Sequence, residues 1–200
     1  VLRLTNLLRR EGTTIHVAGT ADHDSFKFDG SQGYRIDVNG VEYSYSVEEI
    51  SLTTFDGGDG TDTVFVTCSA GDEWVVLYPD RGTIKGPGYF VTLASIEHKT
   101  VDAGGGTNDV VKISGSNNDD TFTANPEEGV VLSPGCSSRA IGFDSLSTHA
   151  GAGNDKATFS GSAEADTFVG RPTYSNLFGP TFYVGAQEFD EVTVQGGPGD

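Results

Sequence analysis

Gly82-Thr83-Ile84-Lys85-Gly86-Pro87-Gly88-Tyr89-Phe90-Val91-Thr92-Leu93-Ala94-Ser95-Ile96-Glu97 is one of four versions of a single sixteen-residue phrase. The others run without gaps from Gly33 to Glu48, from Gly129 to Asp144 and from Ser175 to Asp190, so successive copies start 49, 47 and 46 residues apart. Each closes on an apolar-acidic pair: Val47-Glu48, Ile96-Glu97, Phe143-Asp144 and Phe189-Asp190. Pro87, Pro134 and Pro180 hold the same internal place, where the first copy has Val38. A fixed period of about 47 residues predicts units that bury their apolar faces only against their neighbours.

Within a period the apolar runs are short and lie between Gly, Asn, Asp and Pro clusters: Thr63–Val66, Glu73–Leu77, Thr83–Lys85, Tyr89–Leu93 and Lys99–Val101. Such runs read as strands and turns, and none carries a sustained 3.6-residue period. A 47-residue unit fits one four-stranded propeller blade or two coils of a solenoid. The short strands, the irregular turns and the missing kelch and WD signatures favour the second. The expectation is an all-β, right-handed parallel β-solenoid (a β-helix) of about four repeats. Each repeat comprises two coils of about 23 residues with three short strands apiece, and the rod is roughly 40 Å long at ~4.8 Å per stacked strand. Ile36–Tyr43 carries a hairpin signal, but the Pro-Gly or Gly-Pro of the other copies reads as a corner between consecutive strands.

Residues 1–11 form a lead-in or cap, in which Leu4, Leu7 and Leu8 have helical spacing and an ordinary first strand fits equally well. Residues 12–200 form the solenoid domain, which stops inside a repeat at Gln195–Asp200. With no methionine in the chain, both ends read as cuts from a longer protein.

The chain has 29 acidic and 12 basic side chains, a net charge of −17. That balance argues against nucleic acid and anionic membrane, which bind through Lys and Arg. No apolar stretch is long enough for membrane insertion. Cys68 and Cys136 lie about three turns apart in this scheme, roughly 14 Å at the stacking distance and beyond disulfide reach, so both are expected as free thiols. The four histidines lack ligand spacing, and His23, beside Asp22 and Asp24, reads as a solvated turn residue. The aromatics Phe26, Trp74, Phe122 and Phe168 read as an internal stack.

Between the phrases lies a glycine-rich motif. Gly57-Gly58-Asp59-Gly60-Thr61-Asp62-Thr63-Val64-Phe65 matches the nonapeptide G-G-x-G-x-D-x-U-x at every specified place. Degraded echoes follow at Ala103–Val110, with Asn108 and Asp109, and at Ala150–Ala157, with Asn154 and Asp155. Glycines at positive φ let several carbonyls face one point, and Asp adds a charged oxygen there. Calcium takes six to eight such oxygens. The candidate ligands are Gly57, Asp59, Gly60, Asp62, Asn108, Asp109, Asn154 and Asp155, with the strongest site at Asp59 and Asp62. The same residues are also plain turn chemistry. A second acidic turn comes ten to twelve residues later in each period, at Asp24-Ser25-Phe26, Asp72-Glu73-Trp74, Asp120-Thr121-Phe122 and Asp166-Thr167-Phe168.

These motifs resemble the calcium-binding, Gly-Asp-rich (hemolysin-type, RTX-like) repeats of secreted bacterial proteins, in particular the long arrays of large surface proteins. The residues that carry the resemblance are Val17–Phe26, Val38-Asn39-Gly40-Val41, Gly142–Leu146 and Gly57–Phe65. The resemblance implies an extracellular or cell-surface β-solenoid, calcium as cofactor, and a structural, adhesive or matrix role; the expected partner is a surface or matrix component, a glycan being one candidate. Here the nonapeptides are not tandem, which predicts calcium held within one loop, or between it and the neighbouring corner near Gly86, Pro134 or Gly179. The acidic positions repeat with the scaffold, whereas an active site breaks the period. Glu127-Glu128, Arg139 and Thr53-Thr54-Phe55 are weak breaks only. The expected function is non-catalytic, with a carbohydrate-binding or polysaccharide-degrading module as the alternative.

Overall fold

A computed structural model describes residues 7–197. Every regular element among them is a β-strand, and the strands stack into a β-solenoid of about five turns. Leu4 and the closing Pro198-Gly199-Asp200 lie outside the described residues.

Two sheets of eleven and ten strands face each other, in place of the three strands per coil expected. The chain enters the first sheet with β1 (Leu8–Glu11) and β2 (Thr14–Ala18), then lays β3 (Ser25–Asp29), β4 (Tyr34–Val38) and β5 (Val41–Tyr45) in the second. A five-strand group follows: β6 (Leu52–Asp56) in the first sheet, β7 (Thr63–Thr67) in the second, and a meander of β8 (Trp74–Leu77), β9 (Arg81–Gly86) and β10 (Tyr89–Ala94) back in the first. The next group swaps sheets. β11 (His98–Asp102) is in the second and β12 (Val110–Ser114) in the first, before the meander β13 (Thr121–Ala124), β14 (Glu128–Ser133) and β15 (Cys136–Ile141) in the second. The last swaps again, with β16 (Ser145–His149), β17 (Lys156–Ser160), the meander β18 (Thr167–Arg171), β19 (Tyr174–Phe178) and β20 (Tyr183–Gln187), then β21 (Glu191–Gln195).

One period therefore covers one and a half turns, not two coils, and successive periods begin on opposite sheets. The chain does return to the first sheet in 22 residues, from Leu52 to Trp74, but β8 does not land beside β6. It lands beyond, and β9 and β10 fold back to fill the gap. Parallel neighbours are thus much further apart in sequence: Thr14 pairs Leu52, Leu52 pairs Phe90, and Thr63 pairs His98. At ~4.8 Å per strand the sheets run roughly 50 Å.

The sixteen-residue phrase is a hairpin in every copy, not a corner. β4 and β5, β9 and β10, β14 and β15, and β19 and β20 all pair antiparallel. Asn39-Gly40 turns with φ of 52° and 83°, the two positive values that match the twist of the flanking strands. Pro87-Gly88 and Pro134-Gly135 reach the same result with proline first and a glycine at φ 84° or 81° second. In the first copy the buried apolar residue before the next strand is Ile50, after a longer loop, and Val47 is exposed.

Alternate residues point inward along each strand. Ile15, Phe55, Val75, Ile84, Val91 and Val111 from one sheet meet Phe26, Phe28, Val64, Val101, Phe122 and Phe159 from the other. Of the four aromatics only Phe26 and Phe122 are fully buried, and they do not form one stack: β3 and β13 lie five strands apart, Phe26 packs on Phe55, and Phe122 packs on Phe159 and Phe189. Trp74 is the first residue of its strand, one place out of step with them, and points outward, with Val75 taking the inward place. Phe168 packs against Phe159 but lies in the last strand of its sheet and is partly exposed. Thr53-Thr54-Phe55 is an ordinary strand with Thr53 and Phe55 buried. Both cysteines are unpaired thiols; β7, which precedes Cys68, and β15, which begins at Cys136, are separated only by β11.

Candidate functional site

The acidic motifs gather at the corners between the sheets, in three ladders of carboxylates: Asp24, Asp62 and Glu97; Glu73, Asp109 and Asp144; Asp120, Asp155 and Asp190. In the first step the Asp62 Oδ1 accepts from the Asp24 N–H at 2.7 Å, and the Asp109 and Asp155 Oδ1 atoms accept from Glu73 and Asp120 at the same distance. In the second, the N–H groups of Asp62, Asp109 and Asp155 donate to Glu97, Asp144 and Asp190, all at 2.8 Å. The acidic end of the sixteen-residue phrase thus caps the Asp of the glycine-rich motif. At the N-terminal corner the same places hold Thr13 and Ser51, and the Ser51 hydroxyl donates to the Thr13 hydroxyl at 3.1 Å.

The outer member of each ladder, and Asp166 at the equivalent place in the last period, also closes its own loop. Asp24 Oδ2 accepts from the Thr20 N–H, Asp120 Oδ2 from Ser116 and Asp166 Oδ2 from Ser162, at 2.6, 2.6 and 2.5 Å. Glu73 does so with Ser69 at 3.3 Å. A Ser or Thr four residues before an acid therefore marks each of these turns, a signal present in the sequence that the calcium motif overshadows.

The glycines have a steric cause. A Cβ on Gly60, at φ 121°, would meet the Asp22 carbonyl at 2.5 Å, and one on Gly57 would meet Asp62 Oδ2 at 2.4 Å. The nonapeptide loop stacks directly on the 19–24 loop of one neighbouring corner and, on its other side, meets Ser95–Glu97. Its neighbours are these corners, not Gly86, Pro134 or Gly179 as expected, because those three sit at hairpin turns and their flanks.

Asp62, Asp109 and Asp155 are buried, whereas Asp59, Asn108 and Asn154 are exposed. Burial raises the pKa of all three buried carboxyls, against the N–H bond each accepts, and nearby carboxylates add to the rise. Asp109, beside Glu73, is pushed up to about 6. Among the described residues no group of three His, Cys, Asp or Glu side chains forms a ready metal cluster. Two ladder carboxylate oxygens are buried without a hydrogen-bond partner: Glu73 Oε2, and Asp62 Oδ2, which lies beside Gly57 within the Asp24–Glu97 ladder. Carboxylate oxygens are the hard donor type calcium takes, and Asp62 is the glycine-rich-motif Asp with a buried carboxylate oxygen that has no partner. His23 accepts from the Thr61 N–H across the two loops through Nδ1. Arg139 pairs with Glu128 on the exposed face of adjoining strands.

No protein-family model, curated protein or solved structure matches the chain significantly.

Proposed function

We propose that this chain is a non-catalytic structural and adhesive rod of a secreted or cell-surface bacterial protein, stiffened by calcium at its acidic corners. The observation that carries the reading is the use made of the acids. The recurring carboxylates of the ladders all hold neighbouring backbone N–H groups, in the same geometry from one corner to the next. Groups spent on scaffold are not arranged as an acid–base pair facing a substrate. The unpartnered Asp62 Oδ2 supports calcium at the Gly57–Asp62 loop, with Asp62 as the anionic ligand and loop carbonyls completing the set.

Thermal unfolding in EDTA, then in millimolar calcium with magnesium as control, tests this. A ligand at a hundred times its dissociation constant stabilises by about 2.7 kcal/mol, a rise of roughly 5–10 °C for a chain of this size. The rise should be calcium-specific and absent in Asp62→Ala. An unchanged melting curve would leave the corners as metal-free turns.

A further inference from the structure

The second period departs from the others at one place. Glu73 stands where Asp24, Asp120 and Asp166 stand, a methylene longer, and Trp74 stands where the others have Ser25, Thr121 and Thr167. Across the strand pair Trp74 faces Lys85, where Thr121 and Thr167 face Leu132 and Phe178. These departures meet at a surface cavity of about 380 Å³, lined by Asp72, Glu73, Trp74, Lys85, Pro87 and Asn108 among others. Trp74 is 47% exposed there, and Lys112 Nζ sits 5.1 Å from its ring centroid. Beneath, Glu73 Oε1 accepts from the Ser69 hydroxyl at 2.5 Å and the Tyr89 hydroxyl at 3.1 Å, while its buried Oε2 has no partner.

We propose that this groove binds a saccharide, with one pyranose ring laid on Trp74 and its hydroxyls met by Asp72, Lys85 and Asn108. Ligand sites combine an apolar wall with a few convergent polar groups, and an exposed indole supplies a flat apolar face with a polar tip. A purely apolar ligand would leave Asp72, Lys85 and Asn108 unmatched. A polyanion such as nucleic acid would meet Asp72 and Glu73 at the wall of a strongly acidic protein. A sugar ring offers C–H faces and hydroxyl rims together. The site goes beyond the spacer reading and does not depend on calcium.

Trp74 is the only tryptophan in the chain, so its emission reports this groove alone. The test titrates the protein with neutral gluco-, xylo- and chito-oligosaccharides and with oligouronates, in EDTA and again in calcium. A saturable emission change with a dissociation constant at or below about 1 mM in any series supports the site; a response to oligouronates alone adds that Lys85 reads charge. Calorimetry should then show binding weakened tenfold or more in Trp74→Ala and Lys85→Ala, and less in Trp74→Phe, each variant melting as the parent does. No saturable response in any series, or undiminished calorimetric binding by Trp74→Ala, would overturn the proposal.

Discussion

Asp155 accepts the Asp120 N–H, and the carbonyl oxygen of an amide can do the same. Asp155→Asn should therefore leave stability at pH 7.5 unchanged or slightly higher, since it removes a buried charge whose ionised form burial disfavours. Asp155→Ala leaves that N–H buried without an acceptor and should cost about 1–3 kcal/mol in a denaturant titration. If Asn were as damaging as Ala, the charge itself would matter, as a cation site requires. Asp109 contributes to the pH dependence. Its carboxyl is pushed up to about 6 by burial, with Glu73 beside it, against an ordinary value of 3.8. Between those values the folded chain holds a proton that the unfolded chain has released, so this group's contribution to stability falls as pH rises from about 4 to about 6. In EDTA the protein should melt higher at pH 5 than at pH 7.5, and Asp109→Asn should shrink the difference. Lys99 shows what residue type conceals. It is buried in an inward position, held by the Pro79 and Ile96 carbonyls at 2.8 and 2.7 Å, and burial pushes its pKa down to about 8. Nothing in the sequence distinguishes it from an exposed lysine.

Two glycines with positive φ separate the turn from the stack. Gly40, at the tip of the first hairpin, has open space where a Cβ would stand, so Gly40→Ala should cost only backbone strain, about 1 kcal/mol. Gly60→Ala adds a collision with the Asp22 carbonyl at 2.5 Å and should cost clearly more; equal losses in chemical denaturation would mean that the loops are not tightly stacked. The strands and their period were legible because alternation and turn residues are local. What was not legible was the direction of each turn. Asn39-Gly40 says hairpin plainly, whereas Pro87-Gly88 serves a hairpin or a corner equally well until its partner strand is known. The same limit misplaced Trp74, since a one-residue slip in aligning Asp72-Glu73-Trp74 with Asp24-Ser25-Phe26 reverses the face. The corner acids were found as motifs, but their pairing across 35–38 residues follows from which strands stack, and that depends on the fold-back of each meander.

Over the whole molecule, the solenoid was legible from the 47-residue recurrence, while its true step of one and a half turns was hidden because sequence period and spatial neighbour do not coincide. The edges are treated unequally. β1 lies antiparallel over the end of the first sheet, whereas β5, β18 and β21 are the terminal strands at the other ends. The fold-back has a mechanical consequence. In the first sheet β20 is held between β16 and β19, and β18, which precedes β19 and β20 in the chain, is outermost. Tension applied at the C-terminus cannot draw β20 out alone; the three strands of the meander must leave β16 together. A single-molecule stretching trace should therefore lengthen in increments of one sequence period, roughly 160 Å of contour at ~3.4 Å per residue, rather than strand by strand. Many small increments instead would mean that the meanders do not act as locks, and that the rod yields like a ribbon unpicked from its end.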